Sequence, residues 1–323
     1  MIISDRVYGQ VNIKANVLLE LIKAKSVQRL KGISQFGIPD DYYNHKNYSR
    51  YEHSVGVMLL LKRLGASEEE QVAGLLHDVS HTAFSHVIDW VVGDGKTEDY
   101  QDEQHAKFIR NSEIPGILKK YGYDSERIID YHLFGLLERD IPDLCADRVD
   151  YSFREAPQNV LTFCLPAMTA LDQKIVIKNQ PAATLFARYY LKQQIEHWGS
   201  FEAVARYRAF SDALRLALDD QTITEDDFWQ DDDFITDKLK ASKNKSIQLI
   251  LRTLRHKSLA YLAKSSVTAY KKFRYVDPLF LSDKKLLRLS DVDKPFRTEI
   301  EQARQLSQRG IVVPQVIKAD SVR

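Results

Sequence analysis

Apolar residues recur at intervals of three and four along most of the chain, which is the spacing of one face of an α-helix. Near the N-terminus, Val17, Leu18, Leu21 and Ile22 follow this spacing and predict an amphipathic helix, with a loop after it over residues 37–49. The same pattern predicts further helices at about 51–64, 67–77, 84–92, 103–111, 113–121, 125–137, 143–155, 181–198, 201–218, 232–241, 245–255 and 296–309.

Two helix starts and a few short breaks carry their own signals. Ser67, followed by three glutamates, and Thr224, followed by Glu-Asp-Asp, are typical of capping boxes. Residues 174–178 alternate and are β-branched, so they predict a strand, which we expect to pair with residues 161–163. A second strand is possible at 269–276, and Gly93-Asp94-Gly95-Lys96 predicts a turn.

Composition strengthens the helical prediction. Thirteen glycines and nine prolines make up about 7% of the 323 residues, against an average near ~12%. So few helix breakers favour a mainly α-helical fold. We expect a helical core over residues 1–165, and a mostly helical extension over 166–323 that completes the active-site cleft. A small β-hairpin should lie near residues 161–178.

Charge and cysteine content exclude several function classes. The 46 Lys and Arg residues nearly balance the 45 Asp and Glu residues, so we expect no strong nucleic-acid binding. No apolar run reaches the ~18 residues of a transmembrane helix, and residues 1–6 do not resemble a signal peptide. Cys145 and Cys164 are too few for a disulfide framework, which favours a reducing, cytoplasmic location without membrane association.

Three charged clusters have no motif around them. The acidic residues 231–233 are most simply a solvated helix start. The basic clusters Lys271-Lys272-Arg274 and Lys284-Lys285-Arg288 are most simply exposed surface, because most charged side chains are exposed. We therefore expect no direct function for any of the three.

Histidines are distributed unevenly. Six of the nine lie between His45 and His105, and none of the familiar nucleotide-loop, zinc-protease or serine-hydrolase signatures is present. His77 is adjacent to Asp78 and four residues from His81, so these side chains can converge where a helix ends. Imidazole and carboxylate together suit Mn, Fe, Co, Ni or Zn. A single His-Asp pair is, however, more often a hydrogen-bonded polar pair at a helix end.

The sequence around this pair favours the metal. Residues 50–57 (RYEHSVGV), 74–86 (GLLHDVSHTAFSH) and 146–155 (ADRVDYSFRE) occur in that order. This arrangement of His, then His-Asp, then a distant Asp resembles the HD-domain metal-dependent phosphohydrolases. The flanking residues are similar to the branch of deoxynucleoside triphosphate (dNTP) triphosphohydrolases that contains the sterile-alpha-motif/HD dNTPase. The resemblance covers about residues 28–200.

The resemblance implies a role for each matching residue. The four metal ligands would be His53, His77, Asp78 and Asp147. The polar residues lining the catalytic cleft would be His81, His86 and Asp89. The substrate contacts would be Gln35 near the deoxyribose 3′-hydroxyl, Tyr151 on the sugar, and Arg50, Arg148 and Arg188 on phosphate.

The sequence departs from the family pattern at several places. The family has His-Glu-Gln where this chain has Asp102-Glu103-Gln104, and that histidine is the expected proton donor. The replacements left open are His81, and His105 with Asp89, where His105 lies about one helical turn further on than Asp102. Lys192 and Glu196 stand where the family contacts the triphosphate tail. Lys192 can still bind phosphate, whereas Glu196 repels it.

The resemblance implies hydrolysis of a dNTP to nucleoside and tripolyphosphate, with one divalent transition metal and with Mg as an additional candidate. Two alternatives stay open. One is a nucleotidase or pyrophosphatase acting on nucleoside mono- or diphosphates or another phosphorylated metabolite. The other is a nucleotide-binding regulator with a degenerate site. The family also implies a homo-oligomer, for which we predict a dimer.

Overall fold

Helices form most of the described chain, which confirms the mainly α-helical prediction. The structure is a computed structural model that describes residues 1–92, 99–260 and 266–316; the turn predicted at 93–96 lies outside these residues. Its α-helices are α1 (Asn16–Leu21), α2 (Lys25–Arg29), α3 (Arg50–Arg63), α4 (Glu68–Leu76), α5 (Tyr100–Arg110), α6 (Ile114–Lys120), α7 (Ser125–Ile129), α8 (Ala146–Glu155), α9 (Gln158–Cys164), α10 (Gln180–Gln193), α11 (Phe201–Asp219), α12 (Asp232–Ala241), α13 (Lys245–Leu254), α14 (Leu289–Val292) and α15 (Lys294–Gln308).

Helix α4 begins with half of the predicted capping box. The Ser67 hydroxyl accepts a hydrogen bond from the backbone N–H of Glu70, as expected. The Glu70 carboxylate does not return this bond. It is buried and accepts from the backbone N–H groups of Leu136 and Leu137 at 2.8 and 3.1 Å. This side chain therefore ties the start of α4 to the loop that leads into α8. The second predicted box, at Thr224 and Asp227, is complete.

Helix α3 is buried on nearly all sides and packs against α4 and α8. The close approach of α8 depends on Gly56. A Cβ atom at this position would lie 1.8 Å from Nη2 of Arg154 and 2.2 Å from Oδ1 of Asp150. Any larger residue would therefore displace a buried ion pair on α8.

The strands are short. They are β1 (Ile2–Asp5), β2 (Gly9–Asn12), β3 (Met168–Leu171), β4 (Lys174–Ile177), β5 (Ser266–Ala269), β6 (Leu279–Ser282), β7 (Lys285–Arg288) and β8 (Ile311–Pro314). β1 pairs with β2, β5 pairs with β8, and the other four form one sheet in the order β3-β4-β6-β7.

The predicted strand at 174–178 corresponds to β4, but its predicted partner is wrong. Residues 161–163 belong to α9, and β4 pairs with β3 instead. The reason is the turn at Asp172 and Gln173. Both residues have positive φ, and this two-residue turn sets Leu171 opposite Lys174.

Three other sequence predictions differ from the structure. The N-terminal hairpin of β1 and β2 was not predicted. The helix predicted at 125–137 ends at Ile129. Of the strand predicted at 269–276, only Ala269 is in a strand; residues 270–277, which we call the strap, have no regular structure.

Two hydrophobic clusters hold the described helices together. The larger includes residues of α1, α3, α4, α8 and α10 together with β6 and α15. The smaller is built on α11, α12 and α13, with the 3₁₀ helix Ser85–Trp90 and β8 packed against them. The division of the chain at residue 165 stays a prediction. None of the helices that the structure describes has both the length and the apolar character needed to cross a membrane.

Candidate metal centre and substrate cleft

The four predicted metal ligands converge on one point. His53 comes from α3, His77 and Asp78 follow the last residue of α4, and Asp147 lies in the first turn of α8. His53 Nε2 is 2.9 Å from Asp147 Oδ1 and 3.3 Å from His77 Nε2. His77 Nε2 is 3.5 Å from Asp78 Oδ1 and 3.6 Å from Asp147 Oδ1. Helices α3, α4 and α8 thus bring His53, His77 and Asp147 within reach of a single ion, and the Asp78 carboxylate lies beside the two imidazoles.

The hydrogen bonds behind the two rings decide which nitrogen faces this point. His53 Nδ1 lies 2.7 Å from Asp150 Oδ2, and His77 Nδ1 lies 2.8 Å from the carbonyl oxygen of Gly74. In the neutral tautomers both Nδ1 atoms donate to these oxygens, so both Nε2 atoms present lone pairs. Two lone pairs facing each other beside two carboxylates require a cation between them, and a mixed nitrogen and oxygen set fits a divalent transition metal.

The pKa values of these groups reflect the negative charge of the two carboxylates. Burial alone would lower the pKa of His77, but the carboxylates of Asp78 and Asp147 raise it to about 9. Burial would raise the pKa of Asp147, but hydrogen bonds from His53 and His77 lower it well below its ordinary value. Protons and a metal cation therefore compete for the same ring nitrogens.

A buried ion-pair network fixes the His53 ring. Asp150, which accepts from His53, also accepts from Arg154 Nε at 2.7 Å and from the Tyr8 hydroxyl at 2.8 Å. Arg154 in turn donates to Asp5 and Glu52. Sequence reasoning missed this support. The spacing of Asp147, Asp150 and Arg154 at positions i, i+3 and i+7 of α8 was the available signal.

Arg50 lies beside the metal ligands, as predicted. Its Nη1 donates to Asp78 Oδ2 at 2.7 Å, and its Nε donates to the Ser85 hydroxyl at 3.0 Å. The side chain is 4% exposed and lines the cleft. The guanidinium is therefore held in a fixed position beside Asp78 in the cleft, and its contact with phosphate stays a prediction.

Asp232 braces the loop segments that hold Arg50. Its carboxylate accepts from the backbone N–H groups of Phe84 and Ser34, at 2.8 and 2.9 Å. Ser85, next to Phe84, donates to the Ser34 carbonyl oxygen and accepts from Arg50. Burial raises the pKa of Asp232 to about 6. The expectation of a solvated acidic cluster at 231–233 is therefore wrong for Asp232.

His81, His86 and Asp89 lie on the same side of the site. His81 Nε2 is 3.3 Å from Asp78 Oδ1, and the His81 and His86 rings meet edge to face with centroids 5.1 Å apart. His86 Nδ1 is 3.2 Å from Asp89 Oδ2, and Asp89 also accepts from the backbone N–H of Tyr100. Burial and the charge of Arg50 lower the pKa of His81, so this ring stays neutral. His86, by contrast, is partly exposed in the wall of the cleft, and Asp89 orients its ring.

The structure does not bring His105 to the cleft. Asp102 lines the cleft and accepts from the Tyr131 hydroxyl at 2.7 Å, but His105 lies one turn further along α5. There it is buried, with Nδ1 3.2 Å from the Ser80 hydroxyl, and burial lowers its pKa to about 4. The prediction that His105 replaces the missing donor is therefore not supported.

Two predicted phosphate contacts, Arg188 and Lys192, also lie away from the cleft. Tyr190 on α10 contacts Tyr151, so this face of the helix is turned toward the cleft. Arg188 and Lys192 each lie two residues from Tyr190, which is a rotation of about 200°, so their side chains leave the opposite face of the helix. Arg188 instead pairs with Asp293 and Glu299. Lys192 is 65% exposed beside Glu196. We therefore withdraw both as substrate-binding residues.

Gln35, Arg148 and Tyr151 do line the cleft, which encloses about 520 Å³. Arg148 donates to Glu138 at 3.0 Å. The sequence analysis missed several residues of the wall because no motif surrounds them. They are Phe36, Tyr43, Tyr48, Tyr131, His132, Glu138, Arg139, Glu155, Trp198, Tyr207 and the basic residues Lys271, Lys272 and Arg274. The basic strap residues, which we expected to be plain surface, thus belong to the cleft.

Comparison with known proteins identifies the family of the chain. A family model described as "HD domain" matches residues 50–154, which contain all four ligands. The chain is 39% identical to the uncharacterized protein YdhJ of Bacillus subtilis, over 97% of this chain and 98% of that protein. It is 31% identical to the metal-dependent phosphohydrolase cns2 of Cordyceps militaris, over 71% of this chain and 70% of that protein.

Two more distant similarities point the same way. The human deoxynucleoside triphosphate triphosphohydrolase SAMHD1 is 26% identical over 44% of this chain and 26% of its own length. A crystal structure of a phosphohydrolase from Bacteroides thetaiotaomicron has a similar fold, with a TM-score of 0.68 at 18% identity over 97% of this chain and 98% of that one. With two histidines and two aspartates converging in the matched region, the chain belongs to the HD-domain family and is a metal-dependent phosphohydrolase that acts on phosphorylated substrates.

Proposed function

We propose that this enzyme hydrolyses dNTPs to deoxynucleoside and tripolyphosphate. The observation that carries the proposal is the composition of one cleft. His77, Asp78 and Asp147 line it together with Gln35, whose Oε1 is buried and accepts no hydrogen bond from any described residue. A buried acceptor without a donor is costly, and a sugar hydroxyl supplies the donor that it lacks. The similarity to SAMHD1, named as a dNTP triphosphohydrolase, supports the same substrate.

Aromatic side chains suit the nucleoside part of the substrate. Tyr151 is hydrogen-bonded to the Tyr190 hydroxyl, and its ring centroid is 6.3 Å from that of His53. A sugar packed on Tyr151 therefore holds the attached phosphate close to the metal ligands. Phe36 and Tyr48, whose rings meet edge to face, form another part of the wall.

The chain's own residues can then support the reaction. A divalent metal held by the four ligands would supply Lewis acidity toward water and phosphate oxygens. Arg50 and Arg148 stabilise the charge that develops on the phosphoryl group as water attacks the α-phosphorus. The bond from this phosphorus to the sugar oxygen breaks, and the leaving oxygen needs a proton. We assign this proton to His86 Nε2, because Asp89 holds the opposite nitrogen of the ring.

A second candidate is hydrolysis of nucleoside mono- or diphosphates or of another phosphorylated metabolite. The positions of Arg188 and Lys192 favour it, because they remove two expected contacts to a triphosphate tail. The regulator hypothesis is not retained, since the match to the HD domain and the similarity to a metal-dependent phosphohydrolase favour an enzyme.

Product analysis tests the proposal. The purified protein is loaded with Mn, Fe, Co, Ni or Zn, with and without Mg, and given dNTPs, NTPs, dNMPs and NMPs. Tripolyphosphate as the first product from dNTPs supports the proposal. Orthophosphate released from monophosphates, with no attack on triphosphates, would move the assignment to the second candidate.

We further propose that the native ion is one transition metal and that the active form is a dimer. The mixed imidazole and carboxylate set supports the first statement. Metal analysis of protein purified without added metal tests it. Light scattering during turnover tests the second, and a mass near 37.3 kDa would contradict the dimer.

A further inference from the structure

We propose that the strap binds the phosphate chain of the substrate and makes the enzyme prefer nucleotides with several phosphates over monophosphates. This inference rests on the proposed function and adds to it, because it names the residues that select the length of the phosphate chain. The strap lies outside the region that the HD family model matches.

The strap crosses from one wall of the cleft to the other. On one side, the ammonium group of Lys271 lies 3.5 Å from the centre of the Tyr207 ring on α11. In the middle, the backbone N–H of Arg274 donates to Gln194 Oε1 at 3.2 Å. At the far end, the backbone N–H of Asp277 donates to the carbonyl oxygen of Pro142, in the loop that leads to Asp147. These anchors fix the segment across the site.

Three cations of the strap face the same cleft as the metal ligands: Lys271, Lys272 and Arg274. Lys272 is exposed and, among the described residues, has no carboxylate within 4 Å of its ammonium group. Arg274 lies close enough to Tyr151 to act on its ionisation. Burial raises the pKa of this phenol, and both Arg274 and Arg148 oppose the rise. Positive charge therefore continues from Arg148 beside the ligands to the strap.

Three arginines of the cleft outside the strap have partners in the described chain. Arg50 is paired with Asp78, and Arg148 is paired with Glu138. Arg139 donates to the backbone carbonyl oxygens of Gly135 and Gln173. These groups and the metal suffice for a single phosphate. A triphosphate chain carries about four negative charges and extends further, so it needs the additional cations that the strap provides.

The test compares substrates that differ only in the number of phosphates. The double variant Lys271→Gln/Lys272→Gln and the single variant Arg274→Gln remove strap charge. Lys285→Gln removes an equally exposed lysine in β7, outside the cleft, and serves as the matched control. The melting temperature of each variant verifies folding. For the double variant we expect kcat/KM to fall about tenfold with a dNTP and less than about twofold with the matching dNMP.

A second measurement does not depend on turnover. Titration of inorganic tripolyphosphate into metal-free protein by calorimetry should give a Kd that rises about tenfold in the double variant and stays constant in Lys285→Gln. An equal fall in kcat/KM for dNTP and dNMP would overturn the inference, and so would a Kd for tripolyphosphate that does not change in the strap variants. Either result would leave the proposed function intact. Strap-dependent tripolyphosphate binding without dNTP hydrolysis would overturn the proposed function while supporting the strap as a polyphosphate site.

Discussion

Two regions reach the same cleft by different routes. In the HD region, residues 50–154, three helices position the ligands, and each ligand is fixed by partners close to it in sequence or on a neighbouring helix. In the strap, an irregular segment that begins more than 110 residues after the HD region supplies charge through side chains that the fold brings in from a distance. The first arrangement serves the reacting atoms, which tolerate little displacement. The second serves a flexible, highly charged part of the substrate.

The largest effect should come from the HD region itself. Asp147→Asn removes one ligand charge, so the protein should lose most of its bound metal and more than about 10³-fold in activity while keeping its helical content. This loss exceeds the 10–100-fold expected for partners behind the ligands. Elemental analysis, activity assays and circular dichroism measure it. Full metal occupancy in this variant would show that Asp147 is not a ligand.

The next effect tests the assigned proton donor. His86→Gln should lower kcat by about 10²-fold, because general acid catalysis typically contributes 10²–10⁴-fold. Bound metal should be unchanged, which separates this variant from Asp147→Asn. Substrates with a better leaving group need less protonation, so their rates should fall less. An equal loss for all leaving groups would exclude His86 as the donor.

A smaller effect is expected for the support behind His53. Asp150→Asn should weaken metal binding by about 10–100-fold, because the His53 ring loses the carboxylate that holds it in position. It should also destabilise the protein, by at most roughly 3–5 kcal/mol, because buried Arg154 loses one of its three carboxylate partners and keeps Asp5 and Glu52. Denaturant unfolding and metal titration give the two numbers. Arg110→Gln breaks an exposed pair with Glu126 and should leave the free energy of unfolding nearly unchanged, which makes it the control.

The pH dependence of stability tests the buried position of His105. Its pKa is lowered to about 4 from an ordinary value near 6.5. The unfolded chain therefore takes up this proton first as the pH falls. The free energy of unfolding therefore decreases by on the order of 3 kcal/mol as the pH falls from about 6.5 to about 4. His105→Gln should flatten this part of the curve while retaining most activity. A large fall in kcat would instead restore His105 as a donor.

The smallest effect is expected on α10. Arg188→Gln and Lys192→Gln should change KM for a dNTP by less than about twofold, because exposed ion pairs contribute little and neither side chain lines the cleft. Steady-state kinetics of these variants and of the strap variants, measured with the same dNTP, compare the two regions directly. A tenfold rise in KM for either variant would return the phosphate contact to α10 and weaken the role of the strap.

The metal ligands could be predicted because the family motif gives their positions in the sequence, and the packing of the helices brings these positions together. His53 lies within α3, His77 directly follows the last residue of α4, and Asp147 lies in the first turn of α8, so the packing of these three helices brings the side chains together. Arg188 was misplaced because a difference of two residues turns a side chain to the opposite face of α10. His105 was misplaced because one turn along α5 takes the ring into the wall behind Ser80.

The strap could not have been predicted from local pattern. Lys271 and Lys272 have the spacing of any exposed basic cluster, and only the contacts with Tyr207, Gln194 and Pro142 carry the segment to the cleft. These contacts join residues far apart in sequence. The same limit applies to Asp232, whose burial depends on Ser34 and Phe84.

The brace formed by Asp232 has a consequence for protein synthesis. The ribosome releases the chain from its N-terminus, so all four metal ligands are made well before residue 232. Until that residue emerges, the backbone N–H groups of Ser34 and Phe84 lack their shared acceptor, and the hydroxyl that holds Arg50 has no fixed position. A nascent chain therefore contains its predicted ligands and Arg50 before it contains the carboxylate that helps to position Arg50, so the cleft can mature only after residue 232 has emerged.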